Sequence, residues 1–183
     1  MNKKSILTAV LFIVCLSSAF AQKYMTRTGK IAFHAGTSLE DIDGISNEAA
    51  SVIDAKKGDF IFQVAIKSFK FRRALMEEHF NENYMESDKI PRADYKGTIT
   101  DISAVNFAKD GTYKVNTTGK LTIHGVTKDV TLPATITVKG ATVETAAKFI
   151  VKPADYNVQI PKLVENKIAK EVEVNVNSIL DKK

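Results

Sequence analysis

The residue types that most often do chemistry are sparse and scattered in this sequence. Three histidines, His34, His79 and His124, stand far apart. None has a second histidine, a cysteine or a carboxylate at the spacing typical of a metal site. A lone histidine without an arranged partner reads as structural or surface. Glu77-Glu78 and Asp41/Asp43 come nearest to acid–base pairs. Adjacent residues on a helix do not face each other, and nothing apolar around the Asp pair would raise a carboxyl pKa, so both pairs read as solvated surface. A Gly-rich phosphate loop, a G-x-S-x-G elbow and a His-x-x-x-His pair are all missing. The expectation is therefore a protein that is not an enzyme and uses no metal or cofactor. One charge feature stands out, the pair Arg72-Arg73. Arginine's fork suits phosphate, so Arg72 and Arg73, with His79 nearby, are candidates to meet a polar head group. The plainer alternative is an exposed pair where a strand meets a helix.

The elements that would position such residues begin after an address. Lys3 and Lys4 precede a short apolar run, Ile6 to Leu16, and Ala19-Phe20-Ala21 has the small-x-small form of a cleavage site. The run is too short to span a bilayer, so residues 1–21 read as a removable signal peptide and residues 22–183 as one domain, periplasmic or secreted. Cys15 has Val14 before it instead of a small residue, so it reads as part of the apolar run and not as a lipid-bearing cysteine. The exported chain then carries no thiol and no disulfide. Its net charge falls from +5 to +3 with the loss of Lys3 and Lys4. No Lys/Arg block with interleaved aromatics is present, so nucleic acid is not an expected partner.

The dominant signal in residues 22–183 is alternation. From Val126 to Val138 the even positions are Val126, Lys128, Val130, Leu132, Ala134, Ile136 and Val138, while the odd ones are polar or Pro133. In the preceding run Tyr113, Val115, Thr117, Gly119, Leu121 and Ile123 share a side against Lys114, Asn116, Thr118, Lys120 and Thr122. Period two over this length means strands with one dry and one wet face. His124-Gly125 joins the two runs as a tight hairpin turn. Phe60, Phe62, Val64 and Ile66 share a face, as do Val172, Val174 and Val176. Weaker strands are expected at 30–34, 48–54, 93–104 and 142–151. About eight strands in one domain can close into an antiparallel barrel, which removes edges and encloses a ligand-sized space. A two-sheet sandwich is the rival architecture. Arg73 to Met85 reads as a helix with Met76, Phe80 and Tyr84 on one stripe, Pro91 marks the exit from it, and a shorter helix is expected at 161–168.

The stretch Gly119-Lys120-Leu121-Thr122-Ile123-His124-Gly125-Val126-Thr127-Lys128-Asp129-Val130-Thr131-Leu132 resembles the most recognisable hairpin of the YceI-like family of bacterial secreted proteins. Met76, His79-Phe80, Tyr84, Ile90-Pro91 and Tyr95 fall where that family has its helix, Pro-turn and following aromatic. The resemblance implies an extended eight-stranded antiparallel lipocalin-like β-barrel, all-β with one or two short helices, and a polyisoprenoid chain held inside it. The sequence departs from the family pattern at Arg72-Arg73-Ala74 and at Tyr95.

The expected function is a secreted or periplasmic binder of an isoprenoid or other long acyl lipid. Its chain would lie against Phe60, Phe62, Val64 and Ile66 on one strand and Tyr113, Val115 and Leu121 on another. Met76, Phe80 and Tyr84 would close one end. The alternatives are a barrel that serves envelope stress or protein interaction without a lipid, and an enzyme of unrecognised type. Stable membrane insertion is not expected, and a homodimer is left open. Cleavage is expected between Ala21 and Gln22. N-terminal sequencing of exported protein checks this, and a mature form starting at a lipidated Cys15 would show the signal to be of the other type.

Overall fold

The computed structural model describes residues 22–183. The signal-peptide reading and Cys15 lie outside these residues. Nine strands form one antiparallel sheet: β1 (Lys23–Gly36), β2 (Asp43–Asp54), β3 (Asp59–Ala65), the two-residue β4 (Lys70–Phe71), β5 (Arg92–Ile99), β6 (Gly111–Ile123), β7 (Val126–Lys139), β8 (Thr142–Val151) and β9 (Ile168–Lys182). Going round the sheet, the order is β1, β9, β8, β7, β6, β5, β3, β2, and β2 pairs back onto β1. That last pairing closes an eight-stranded barrel and excludes the sandwich. β4 is an appendage on β2, through Gly44 opposite Phe71 and Ile45 opposite Lys70.

Alternation chooses the inner face. Along β6 the buried positions are Val115, Thr117 and Leu121, with exposed Lys114, Asn116 and Lys120 between them. The outward residues of β6 are polar. Among the described residues no helix is long and apolar enough to cross a membrane. The β6–β7 hairpin runs in continuous register from Gly111–Val138 to Ile123–Val126. Its two-residue turn puts His124 at φ 49° and Gly125 at φ 74°, the paired left-handed conformation of a type I′ turn.

Strand limits differ from expectation where the period breaks. β1 starts at Lys23, well before residue 30, because two register shifts between Thr26 and Ile31 change the parity of its inward residues. Tyr24 is inward, and so are Gly29 and Ala35, an odd number of steps later. A bulge of this kind erases alternation from the sequence while keeping the strand. β2 starts at Asp43, β5 stops at Ile99 before a 3₁₀ turn (Ile102–Ala104), and β8 has the expected limits. The helix expected at 161–168 is a single 3₁₀ turn, Lys162–Val164, because β9 already begins at Ile168.

The helix expected at 73–85 is present in altered form. Helix α1 spans only Ala74–His79 and continues as a π-helical turn, Phe80–Tyr84. Asn81 Nδ2 donates to the Glu77 carbonyl at 2.8 Å, and the Met85 N–H reaches the Phe80 carbonyl at 2.9 Å. A side-chain amide that takes a helical carbonyl competes with the backbone ladder and widens the turn.

The two ends of the barrel are unlike. At one end the 100–110 loop turns inward, and Val105 and Phe107 join Tyr24, Val138, Val143 and Leu180 in a buried plug. Tyr24 and Phe107 stack there with centroids 5.8 Å apart. At the other end four connections meet: 37–42, 66–91 with α1, the 124–125 turn and 152–167. Gly125 is the residue most exposed to test. An added Cβ there would meet nothing closer than Ile90 at 3.7 Å, so only backbone strain opposes it. Gly125→Val is expected to lower stability by about 1–3 kcal/mol. Urea unfolding checks this, and an unchanged midpoint would remove the turn from the account.

Candidate functional site

The inner faces of the strands enclose a cavity of about 540 Å³ that opens among the four connections. Its floor is Ile53, Ile99 and Ile136, the near side of the plug. On β9 the lining runs from Ile168 to Val176, and eight extended residues span about 27 Å. Barrel strands tilt by roughly 40°, so the depth along the axis is about 20 Å. The space is blind, elongated and almost wholly apolar, within the size range of small-molecule sites.

Ten residues were expected to line this interior, and the structure brings eight of them together. Phe60, Phe62, Val64 and Ile66 line one wall, Leu121 lines another, and Met76, Phe80 and Tyr84 cover the mouth. Tyr113 and Val115 do not line it, which corrects the expectation. Both lie on the inward face of β6 but at its start, beside the plug. The Tyr113 hydroxyl lies 3.2 Å from both the Asn106 and the Lys109 carbonyl oxygens, so it fastens the 100–110 loop. Tyr113 and Leu121 are eight residues apart, about 27 Å of strand, so they share a face at opposite depths.

The cover is held by aromatic packing. Phe80 contacts Phe71 at 4.9 Å, Phe33 at 5.5 Å and Phe69 at 5.6 Å between centroids. Aromatic pairs of this geometry add about 0.5–1.5 kcal/mol each beyond their buried area. Phe33 fits because its partner across β2 is Gly44, where a Cβ would overlap the ring. Sequence reading passed over Phe33, although Ile31, Phe33 and Ala35 alternate and all three line the cavity. Deeper in, the Tyr95 hydroxyl lies 3.0 Å from Thr117 Oγ1, which donates to the Leu132 carbonyl at 3.0 Å. Burial raises the pKa of Tyr84 and of Tyr95, so both phenols stay protonated at neutral pH.

Apart from Asp94 on β5, the charged residues of the lining stand at the rim. The Glu40 carboxylate, in the 37–42 connection, contacts the Arg73 guanidinium at the start of α1 and lies 3.3 Å from Lys167 Nζ in the 152–167 connection. These two cations hold the Glu40 carboxyl below its usual range, Arg73 most strongly. One carboxylate thus clasps three segments across the opening. Thr37 Oγ1 adds a hydrogen bond to the Asn166 carbonyl at 2.9 Å. Of the expected head-group residues, Arg73 and His79 line the opening, while Arg72 is exposed and turned away from it. Glu40 and Lys167 carry no sequence signal, since they stand on separate loops 127 positions apart.

The other histidines have partners after all. His124 Nδ1 lies 3.2 Å from the Tyr156 carbonyl oxygen, and its Nε2 lies 3.4 Å from the Glu86 carboxylate. It therefore ties the exit of the cover to the hairpin turn. Lys89, chiefly, holds the Glu86 carboxyl below its usual range. His34 Nδ1 lies 2.8 Å from Asp43 and 3.7 Å from Asp41, on exposed surface. The turn between β1 and β2 brings His34 beside Asp41 and Asp43, a grouping that the expectation of no metal-site spacing around any histidine had passed over. The group has three metal-capable side chains but is solvated.

The chain was compared with known proteins. Residues 23–179 match the family model of the YceI-like domain. The comparison with curated protein sequences returned no relative. Among solved structures, BcnA of Burkholderia cenocepacia is similar at 21% identity and a TM-score of 0.69, over 83% of this chain and 95% of that one. A polyisoprenoid binding domain from Saccharophagus degradans, implicated in plant cell wall breakdown, is similar at 15% identity and a TM-score of 0.75, over 87% and 97%. A YceI protein of Campylobacter jejuni is similar at 16% identity and a TM-score of 0.57, over 74% and 81%. At such identities the likeness to these structures speaks for the fold. The match to the family model extends over nearly all the described residues, and by it the chain belongs to the YceI-like domain family.

Proposed function

We propose that this barrel holds the hydrocarbon of one long-chain lipid, isoprenoid or acyl, and transforms nothing. The observation that carries this reading is the cavity: blind, about 540 Å³ and lined almost wholly by apolar side chains, with Glu40, Arg73 and Lys167 at the opening. Each methylene moved from water into such a space contributes about 0.8 kcal/mol. Phe60, Phe62, Val64, Ile66 and Leu121 would line the chain, and Met76, Phe80 and Tyr84 would cover it. The binding named for the Saccharophagus relative is consistent with this. A head group would remain at the rim beside Arg73, Lys167 and His79. The protein would act outside the cytoplasm, after loss of residues 1–21.

Loading requires the rim to part, and Glu40 governs that step in this reading. The sign follows from its lowered pKa. A carboxyl depressed in the closed state stabilises that state fully above the usual carboxylate range. The contribution is lost as pH falls through the depressed value.

Two outcomes are expected. Phe62→Asp would place a charge along the path of the chain, where desolvation is costly, and should lower co-purified lipid at least about tenfold. Tyr113→Phe, beside the plug, should leave lipid unchanged. Mass spectrometry of lipid extracted from purified protein checks both, and equal lipid in Phe62→Asp and parent would remove the interior as the binding site. Glu40→Gln should lower the protection factors of the backbone amides of residues 66–91 at neutral pH, and acidification below the carboxylate range should lower them in the parent. Hydrogen exchange checks this, and unaltered protection would show that the clasp does not hold the cover.

A further inference from the structure

Seven large apolar residues are exposed among the described residues: Ile45, Ile61, Ile150 and Ile179 stand on four different strands of the wall, and the three leucines stand at the mouth. Leu163 is 90% exposed, Leu39 65% and Leu75 59%. They stand on three different segments: Leu39 immediately before Glu40, Leu75 two residues beyond Arg73, and Leu163 four residues before Lys167. The clasp that joins these segments therefore gathers the leucines around one opening. Leu75 also lines the cavity, as do Ile42 and Val164 beside the other two, so apolar surface continues from the tips over the rim to the interior. Single exposed apolar residues are ordinary on protein surfaces, but three around the one opening of an apolar cavity form a patterned surface.

We propose that this ring of leucines docks the mouth onto a phospholipid bilayer, with the side chains inserted just below the head groups and the cavity facing the lipid. The proposal rests on the reading of the cavity as a lipid site. Three features select a bilayer over a protein partner or a second copy. The core of a protein interface is depleted in charge. Here Glu40, Arg73 and Lys167 lie among the leucines, an arrangement suited to the hydrated head-group layer with the apolar tips reaching deeper. The tips also sit on separate segments, as anchors do. A water-free path from the bilayer to the cavity, finally, needs the apolar continuity that Leu75 provides.

The charge balance then identifies the lipid surface. The three segments, 37–42, 66–91 and 152–167, carry eight Lys or Arg and nine Asp or Glu. Attraction to anionic lipid cannot drive docking from a near-neutral ring, whereas insertion of apolar side chains is indifferent to head-group charge. The surface is thus suited to zwitterionic phospholipid, and its binding is insensitive to salt.

Flotation with phosphatidylcholine vesicles tests this. The parent is expected to float with the vesicles equally at low and high salt. The double variant Leu39→Ser, Leu163→Ser is expected to bind at least about tenfold more weakly. Both positions are exposed and outside the cavity lining, so circular dichroism of the variant should match the parent. Uptake of a fluorescent fatty acid without vesicles is the companion measurement and should be equal in both proteins. A parent that fails to float, that floats only with anionic vesicles and is released by salt, or that the double variant matches, would overturn the docking proposal. A parent dimer in gel filtration that the variant abolishes would overturn it in favour of a second copy. Loss of fatty-acid uptake in the parent, with flotation intact, would instead overturn the lipid reading of the cavity and leave docking standing.

Discussion

Closure of the ring of eight paired strands is the constraint on which everything else here depends. Each pairing is needed for it, since the loss of any one would leave an open sheet. Only the closed ring turns the inner face of every strand toward a shared interior. It also removes the two long edges that an open sheet of this size would present to other chains. Without a cysteine among the described residues, backbone hydrogen bonds and packing must hold that closure.

Closure alone gives a tube, and the ends make it a container. One end is sealed by packing: the 100–110 loop folds in and Phe107 stacks on Tyr24. The other is covered by a segment held in three ways, by Phe80 among three phenylalanines, by His124 at its exit and by Glu40 at its start. These ties differ in kind. The aromatic contacts are apolar and insensitive to ionisation, while the clasp depends on one ionised carboxylate. The cover can thus stay seated by Phe80 while its leading edge is released at Glu40.

The sequence made the wall legible and left its depth dark. Alternation marks which residues face inward, so Phe60, Phe62, Val64 and Leu121 could be placed on the lining. It has no way to say how far along the axis a residue lies, which is why Tyr113 and Val115 fell on the right face at the wrong end. The hairpin turn was readable from His124-Gly125 because turn chemistry is local. The early part of β1 was not, because a bulge reverses parity within the strand. The shortening of α1 hinges on one amide, that of Asn81, whose alternative bond to Glu77 propensity does not register. Glu40, Arg73 and Lys167, and likewise His34 with Asp41 and Asp43, meet only through tertiary folding. The resemblance to the YceI-like family supplied the closed barrel that periodicity left undecided against a sandwich.

The plug at the floor imposes an order of traffic. A tube with one door is a stack: whatever goes in last comes out first. The long-chain lipid proposed as guest would have to travel tail foremost, and its polar end would stay at the threshold. Pick-up and delivery use the same gate, and no guest can be threaded from one side of the protein to the other. The floor also acts as a ruler. A tail shorter than the tube leaves empty space below it, and a longer one keeps its excess outside. Tyr24 and Phe107, which touch nothing at the mouth, thereby set the length that the mouth can close upon.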